Sequence, residues 1–309
     1  MILGVAALAA FPLLVTNRFY MHVGNMLLIN SIVAVGFGLI SRTGQLSLSH
    51  AAFMGLGAYA SALLAMRNGL PPILTIFLAA ALCGVAAYSL GLIILRLRGV
   101  YFVLVTFLIG QIFQLLLLDL SDLTRGANGL VGIPPMTVFG ARLTSQASFY
   151  WFALASAFVV VVMAALLLRS PTGRAFASIE ENITLAAASG INTARYQSVA
   201  FAIGSAVAGL GGALYAHYMR FISPDGFTFW VSVSFVVMVV VGGRRTMAGW
   251  LLGAAFITPL PEVLRDAKEF QQISYGFILI VVLMFLPGGL TSLGRRGSAT
   301  AASKTGAEA

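Results

Sequence analysis

Long apolar runs separated by short polar gaps form the dominant pattern of this chain. Ten such runs fall near residues 1–17, 24–41, 45–66, 72–95, 100–118, 147–168, 198–218, 227–242, 247–263 and 273–290. A straight transmembrane helix needs roughly 20 apolar residues, so we expect the shorter runs to be tilted, broken or partly re-entrant. The pattern predicts an all-α, polytopic transmembrane helix bundle with about ten spans.

One stretch, residues 170–195, departs from this pattern because it is polar and amphipathic. Gly190 suits a left-handed helix stop, and Asn192 or Thr193 suits the cap of a following helix. The stretch therefore predicts a short helix, a glycine turn and a second helix, which together form a protrusion. We expect its apolar face to lie in a groove of a soluble partner. The apolar residues that recur there at helical spacing are Phe176, Ile179, Ile183, Ala186 and Ala187.

The composition supports a membrane protein. Hydrophobic residues make up 60% of the chain and charged residues only 9%, with a mean hydropathy of +0.98. A soluble domain carries about 25% charged residues, so we expect membrane lipid to cover much of this surface. The net charge of +9 is not arranged as a basic stripe with interleaved aromatics, and we therefore expect no nucleic-acid partner.

The distribution of positive charge predicts the orientation. With the N-terminus placed in the cytoplasm, the seven positive residues of the outer gaps are Arg18, Arg67, Arg125, Arg142, Arg220, Arg265 and Lys268. The eleven of the inner gaps are Arg42, Arg96, Arg98, Arg169, Arg174, Arg195, Arg244, Arg245, Arg295, Arg296 and Lys304. This excess follows the positive-inside rule. We therefore expect one permease domain over 1–290 with both termini and loop 170–195 in the cytoplasm, followed by a disordered cytoplasmic tail over 291–309.

A polar cluster at the start of the third apolar run is the first candidate site. Its members are Gln45, Ser47, Ser49 and His50. Polar groups are costly in hydrocarbon, so the cluster should face the bundle interior or a solute path. The alternative is hydrogen bonding between helices, which for His50 alone is the favoured interpretation. Gly55 and Gly57, in the same run, should permit close helix approach. We add Asn128, from the irregular outer loop 119–135, to the candidate translocation path.

The sequence offers no catalytic, cofactor or metal signature. It contains neither a phosphate-binding G-x-x-x-x-G-K-[ST] motif nor a G-x-S-x-G elbow, and no Cys/His cluster has metal spacing. We therefore expect a transporter subunit rather than an enzyme, without cofactor or metal. Carboxylates are nearly absent from the predicted spans. A transporter without an ion-coupling carboxylate needs another energy source, and the protrusion is a natural place to receive it.

Several stretches together resemble one family, the LivM-type permease subunits of branched-chain amino-acid ABC importers. They occur in the family's order and span most of the chain. These stretches are GQLSLSHAAFMGLGAY at 44–59, LRLRGVY at 95–101, TRGANGLVGIP at 124–134, residues 171–213, FISPD at 221–225, and residues 253–261.

The resemblance implies a multi-pass subunit of the bacterial inner membrane. It implies that the chain pairs with a paralogous permease subunit as a heterodimer and works with two cytoplasmic ATP-binding subunits and a periplasmic solute-binding protein. ATP hydrolysis would then belong to the partner subunits, and the solute would be a branched-chain amino acid, a related amino acid, an amide or an aromatic acid. The ATPase-coupling residues that the resemblance implies are Glu180, Glu181, Ala186, Ala187, Gly190 and Ile191.

Two other classes of function remain open from the residues alone. A stand-alone secondary carrier or channel is disfavoured by the missing intramembrane carboxylates and by the protrusion. An intramembrane hydrolase would need Ser47 or Ser49 to form a dyad with His50, but these residues are too close in sequence to face one another on a helix.

Overall fold

The computed structural model describes residues 11–12, 17–97, 99–138, 140–263, 276, 284 and 289–291. The predicted spans 1–17 and 273–290 lie mostly outside the described residues, as does the predicted tail 291–309 after its first residue. The longer helices are α1 (Arg18–Ser41), α2 (His50–Arg67), α3 (Pro72–Ile94), α4 (Val100–Asp119), α6 (Gln146–Arg169), α9 (Thr193–Met219), α10 (Phe229–Gly242) and α11 (Met247–Ile257). The shorter ones are α5 (Ser121–Thr124), α7 (Pro171–Glu181), α8 (Ile183–Ala188) and α12 (Leu260–Val263).

The described part of the chain is mostly helical, and six of its helical segments are long and apolar enough to cross a membrane. These are α1, α3, α4, α6, α9 and the segment Pro224–Gly242, in which a 3₁₀ turn leads into α10. Helix α11 is apolar but shorter. The chain is therefore a multi-pass membrane protein.

Helix α9 lies at the centre of the bundle and packs against α1, α2 and α3. Its glycines make this possible, because a Cβ at Gly57 would overlap the backbone of Gly209, and a Cβ at Gly212 would overlap the carbonyl of Met54. Small residues at such crossings allow two backbones to touch. The prediction of close helix approach is confirmed for Gly57, whereas a Cβ at Gly55 would meet the side chains of Phe113 and Phe227.

The outer helices expose their apolar side chains. Of the most apolar window of each helix, 72% is buried in α1 and 61% in α9, but only 17% in α4. Large apolar residues such as Ile93, Tyr101 and Leu115 are exposed on α3 and α4. A surface of this kind suits hydrocarbon or a neighbouring membrane helix rather than water.

The loops gather at two opposite ends of the bundle. Helices α1 and α9 run antiparallel, with His22 beside Tyr218 near one end and Gly36 beside Gly204 towards the other. The end beside His22 and Tyr218, which the charge pattern predicts to be the outer one, holds two short sheets. One is the antiparallel pair β1 (Leu130–Val131) and β4 (Phe221–Ile222), and the other is the hairpin β2 (Thr137–Val138) and β3 (Ala141–Arg142). The opposite end holds residues 42–44, α7, α8 and the turn 243–246.

Candidate functional site

The chain turns back into the bundle between α1 and α2. Helix α1 ends at Ser41, residues 42–44 form a turn in which Gly44 has a φ of +76°, and residues 45–49 are not helical. His50, the first residue of α2, has its Nε2 atom 3.0 Å from the carbonyl oxygen of Val33. Val33 lies eight residues before the end of α1, or ~12 Å at the helical rise. We call residues 45–49 the re-entrant segment.

The predicted helical span 45–66 is therefore wrong in its first five residues. The Ser47 Oγ lies 3.0 Å from the Ser49 Oγ, and it accepts a 3.3 Å hydrogen bond from the Ser49 N–H. Serine hydroxyls compete with helical hydrogen bonding in this way. The glycine turn at Gly44 and the serine bonds together delay the start of α2 until His50.

Hydroxyl groups from two other helices satisfy the backbone at this point. The Leu48 N–H donates to the Thr106 Oγ1 of α4 at 3.1 Å, and the Ala51 N–H donates to the Ser232 Oγ of α10 at 2.9 Å. Non-helical backbone at membrane depth is tolerated only where such partners or water are present. Sequence reasoning missed Thr106 and Ser232, for which the available signal was a hydroxyl residue inside an apolar run.

The structure brings four of the five predicted path residues together. Ser47, Ser49 and His50 are fully buried, and Gln45 is 8% exposed. The fifth, Asn128, is exposed in the 3₁₀ turn Gly126–Asn128, beyond the far end of α4. The re-entrant segment lies against the first half of that helix, so Asn128 does not join the cluster.

His50 sits between aromatic edges. Its ring centroid lies 5.4 Å from that of Phe37 and 5.9 Å from that of Phe235. A carbonyl oxygen only accepts, so the Nε2 atom carries the proton that it donates to Val33. The Nδ1 atom is then an acceptor, and it has no hydrogen-bond partner in the described part of the chain. This geometry agrees with the packing interpretation of His50 and leaves one acceptor unused.

The predicted protrusion is present as α7 and α8. Asn182 separates the two helices, and its Oδ1 accepts from the N–H groups of Thr184 and Leu185, both at 3.0 Å. Gly190 ends α8 with a φ of +85°, as the sequence predicts. Asn192 caps α9 by accepting from the Arg195 N–H at 3.1 Å. The helix, glycine turn and following helix are confirmed, with an additional break at Asn182.

The apolar face of the protrusion packs against the chain's own bundle, whereas the sequence predicts that it faces a soluble partner. Phe176, Ile179 and Ala186 are buried within the chain itself, and the Phe176 ring meets the Tyr196 ring of α9 edge-on. The expectation that this face needs a partner's groove is therefore wrong for these residues. The protrusion packs against α6 and α9, which supply the groove.

A different set of residues faces outward on the protrusion. Leu185 is 65% exposed, and its exposed neighbours are Glu181, Thr184, Ala187, Ala188, Ser189 and Gly190. Ile191 is half-buried. Sequence reasoning missed Leu185, although an apolar residue three positions after a capping asparagine was a usable signal.

Glu180 also faces inward. Its Oε2 atom lies 2.5 Å from the Nη1 atom of Arg42, with 11% of the Glu180 side chain and 17% of the Arg42 side chain exposed. Glu181, the next residue, is exposed. The two glutamates that the sequence groups together thus have different surroundings, because adjacent helical residues point in different directions.

Three elements meet at the inner end of α1. The Ser41 Oγ accepts from the Nε–H of Arg244 at 3.1 Å, in the turn before α11. The Thr43 carbonyl accepts from the Gln197 Nε2 of α9 at 3.4 Å. Together with the Arg42–Glu180 pair, these contacts tie residues 41–43 to α7, α9 and the α10–α11 turn. We call residues 41–43 the α1 junction.

A second buried polar cluster lies at the outer end. The Nδ1–H of His217 donates to the Pro134 carbonyl at 2.8 Å, and its Nε2 accepts from the Ser61 hydroxyl at 2.9 Å. Thr75 lies 2.8 Å from Ser61. These bonds join α2, α3 and α9 to the outer loop. Within the described residues, no group of three or more His, Cys, Asp or Glu side chains could hold a metal ion.

Comparison with known proteins adds independent information. A family described as the permease component of the branched-chain amino acid transport system matches residues 20–286. The LivM permease protein of the high-affinity branched-chain amino acid transport system of Salmonella typhimurium is 30% identical over 310 residues, which cover 93% of this chain and 73% of that protein. The LivM protein of Escherichia coli gives the same values. The LivH permease protein of Escherichia coli is 29% identical over 161 residues, 51% of this chain and 50% of that protein. No solved structure matches the chain.

Proposed function

This chain belongs to the family of permease components of the branched-chain amino acid transport system, and on that premise we propose that it is the membrane permease subunit of an ATP-driven ABC importer. Its solute would be a branched-chain amino acid or a related small molecule such as an amide or an aromatic acid. The named relatives LivM and LivH support the amino-acid class.

The observation that carries the coupling role is the outward face of α8. Leu185 is 65% exposed on a short helix that is capped at both ends and held by its own chain. An exposed apolar side chain on a helix can enter a hydrophobic groove of a partner protein. We assign the docking of an ATPase subunit to Glu181, Leu185, Ala187 and Gly190, with Ile191 at the margin. Ala186 is buried on the side of α8 that packs against its own chain, so we leave it out of the docking surface.

The assembly that we propose has two permease subunits, two cytoplasmic ATPase subunits and a periplasmic solute-binding protein. The match to LivH over half of this chain supports a paralogous second permease. The bacterial relatives support an inner membrane location. The apolar runs are our reason for about ten spans, and the excess of positive charge in the inner gaps is our reason for cytoplasmic termini with α7 and α8 on the cytoplasmic side. The solute path would run along the re-entrant segment, past Gln45, Ser47 and Ser49.

A reconstituted importer tests this proposal. The complex is assembled in liposomes from the permeases, the ATPases and the binding protein, and uptake of leucine, valine, isoleucine and related amides is measured with and without ATP. Leu185→Asp should lower retention of the ATPases by about tenfold or more, because burial of a leucine contributes about 1.5–3 kcal/mol. Leu185→Met is the matched control and should retain them.

Two results would contradict the proposal. ATP-independent uptake by this chain alone would indicate a carrier or channel. Full ATPase retention and full uptake in Leu185→Asp would remove α8 from the docking surface.

A further inference from the structure

The Arg42–Glu180 pair is the one ion pair formed within the described residues. It joins the last-but-one residue of α7 to the residue that follows α1, across 138 positions of sequence. Each side chain is mostly buried, so its charge depends on the other for compensation. Glu180 is therefore poorly placed for contact with a soluble partner.

The pair lies directly beside the start of the re-entrant segment. A Cβ built on Gly44 would lie 3.8 Å from the Cα of Glu180, so the backbone of α7 passes close to this turn. The Gln45 side chain follows one residue later. A displacement of α7 thus reaches the candidate solute path through at most two residues.

The two elements on either side of the pair differ in stiffness. Helix α7 has a buried face packed against its own chain, and it contacts α8. The re-entrant segment lacks helical hydrogen bonds and is held by individual hydroxyls such as Thr106. Backbone with few ordered bonds opens at lower cost than a packed helix. A movement of α7 should therefore change the conformation of residues 45–49 before that of the packed helices.

Building on the proposed function, we infer that the Arg42–Glu180 pair transmits movement of the ATPase-docking protrusion to the re-entrant segment. Glu180 is then a positioning residue that acts inside the permease, whereas Glu181 faces the ATPase. The pair suits this role because a charged, directional contact holds Arg42 to α7 in both directions of movement. The other contacts of the α1 junction, from Gln197 and Arg244, anchor it to the rest of the bundle.

The test uses the complete importer with Glu180→Gln, and with Arg174→Gln as the control. Arg174 is an exposed residue of the same helix and lies outside the docking residues, so Arg174→Gln also removes one charge from α7. Glu180→Gln should lower uptake per ATP hydrolysed several-fold while the ATPases stay bound, and the thermal midpoint of the complex should fall because Arg42 loses its compensating charge. Arg174→Gln should leave the ratio of uptake to ATP hydrolysis unchanged. The exchange Arg42→Glu with Glu180→Arg should restore much of the loss of Glu180→Gln.

A labelling experiment separates transmission from a general structural role. Gln45→Cys is made in a Cys83→Ala background, and its reaction rate with a small thiol reagent is measured with and without ATP and vanadate. The nucleotide should change this rate several-fold when Glu180 is present and much less in Glu180→Gln. An equal nucleotide effect in both backgrounds overturns the inference, as does equal coupling in Glu180→Gln and Arg174→Gln.

Failure of the proposed function would look different. A parent complex that shows no ATP-dependent uptake and binds no ATPase refutes the proposed function, and this inference falls with it. A parent that does both, with a Glu180→Gln variant that couples normally, refutes this inference alone.

Discussion

The protrusion of α7 and α8 and the re-entrant segment both interrupt the long apolar helices, but their backbone groups find partners in opposite ways. In the protrusion, Asn182 and Gly190 close the ends of α8 with hydrogen bonds inside a few residues. In the re-entrant segment, the Leu48 N–H donates to Thr106, 58 positions away. Ala51, two residues after the segment, donates to Ser232, 181 positions away. The first element is locally complete, and the second depends on the assembled bundle.

This difference assigns different consequences to similar changes. A disturbed protrusion should change what the chain binds and leave the bundle intact. A disturbed re-entrant segment should weaken the bundle itself, because α4 provides a partner for the segment and α10 provides one for the first turn of α2. Three substitutions separate these outcomes.

The largest loss of stability is expected for Thr106→Val. The change keeps the size of the side chain but removes the hydroxyl that accepts from Leu48, and an unpaired buried N–H costs about 1–3 kcal/mol. The thermal midpoint of the purified protein in nanodiscs should fall. Ser89→Ala is the control, because this exposed hydroxyl donates only to Val85 one turn back. An unchanged midpoint in Thr106→Val would show that the segment is not held by α4.

A smaller and local effect is expected for Gly190→Val. A Cβ at this position meets no atom within 4 Å, so the cost comes from the backbone φ of +85° alone. The left-handed conformation costs an L-residue about 1–2 kcal/mol, and a β-branched one fits it least. ATPase retention should fall while the thermal midpoint is kept. Gly190→Asn should retain binding, since asparagine tolerates this region. A loss in both variants would instead indicate that the docked ATPase leaves no room for any side chain at position 190.

The smallest effect on stability is expected for Gln45→Leu, which removes the amide at the candidate path. If Gln45 lines the path, uptake should fall several-fold at an unchanged thermal midpoint, and Gln45→Asn should preserve part of the uptake. If the amide only holds helices together, the midpoint and the uptake should fall together. Measurement of both quantities on the same preparations decides between these two roles.

The parts of the fold that local chemistry determines could be predicted from the sequence. The apolar runs place the described helices, and Gly190 and Asn192 act as the stop and cap that their types favour. The start of α2 could not be found from hydropathy, because Leu46 and Leu48 continue the apolar run although the backbone there is not helical. The Gly44 turn, the local serine bonds and the bond from Leu48 to the distant Thr106 hydroxyl together interrupt the helix.

Only part of the candidate site could be predicted from the sequence, because some of its contacts join residues that are distant along the chain. The cluster of Gln45, Ser47, Ser49 and His50 is contiguous, and its burial follows from the cost of polar groups in a membrane. The direction of Glu180 follows from Arg42, which no local pattern connects with it. The buried side of the protrusion was misjudged because helical periodicity identifies an apolar face without showing what covers it.

The pairing of β1 with β4 has a consequence for movements at the outer end. Leu130 pairs with Ile222 and Val131 with Phe221, so the loop after α4 is fastened to the chain just after α9. Met136, further along that loop, is fully buried, and Pro134 accepts from His217. The outer loop and the end of the central helix α9 are therefore joined into one packed unit. We therefore expect that a partner protein which displaces the outer loop also displaces α9, because the loop is bonded to the end of that helix.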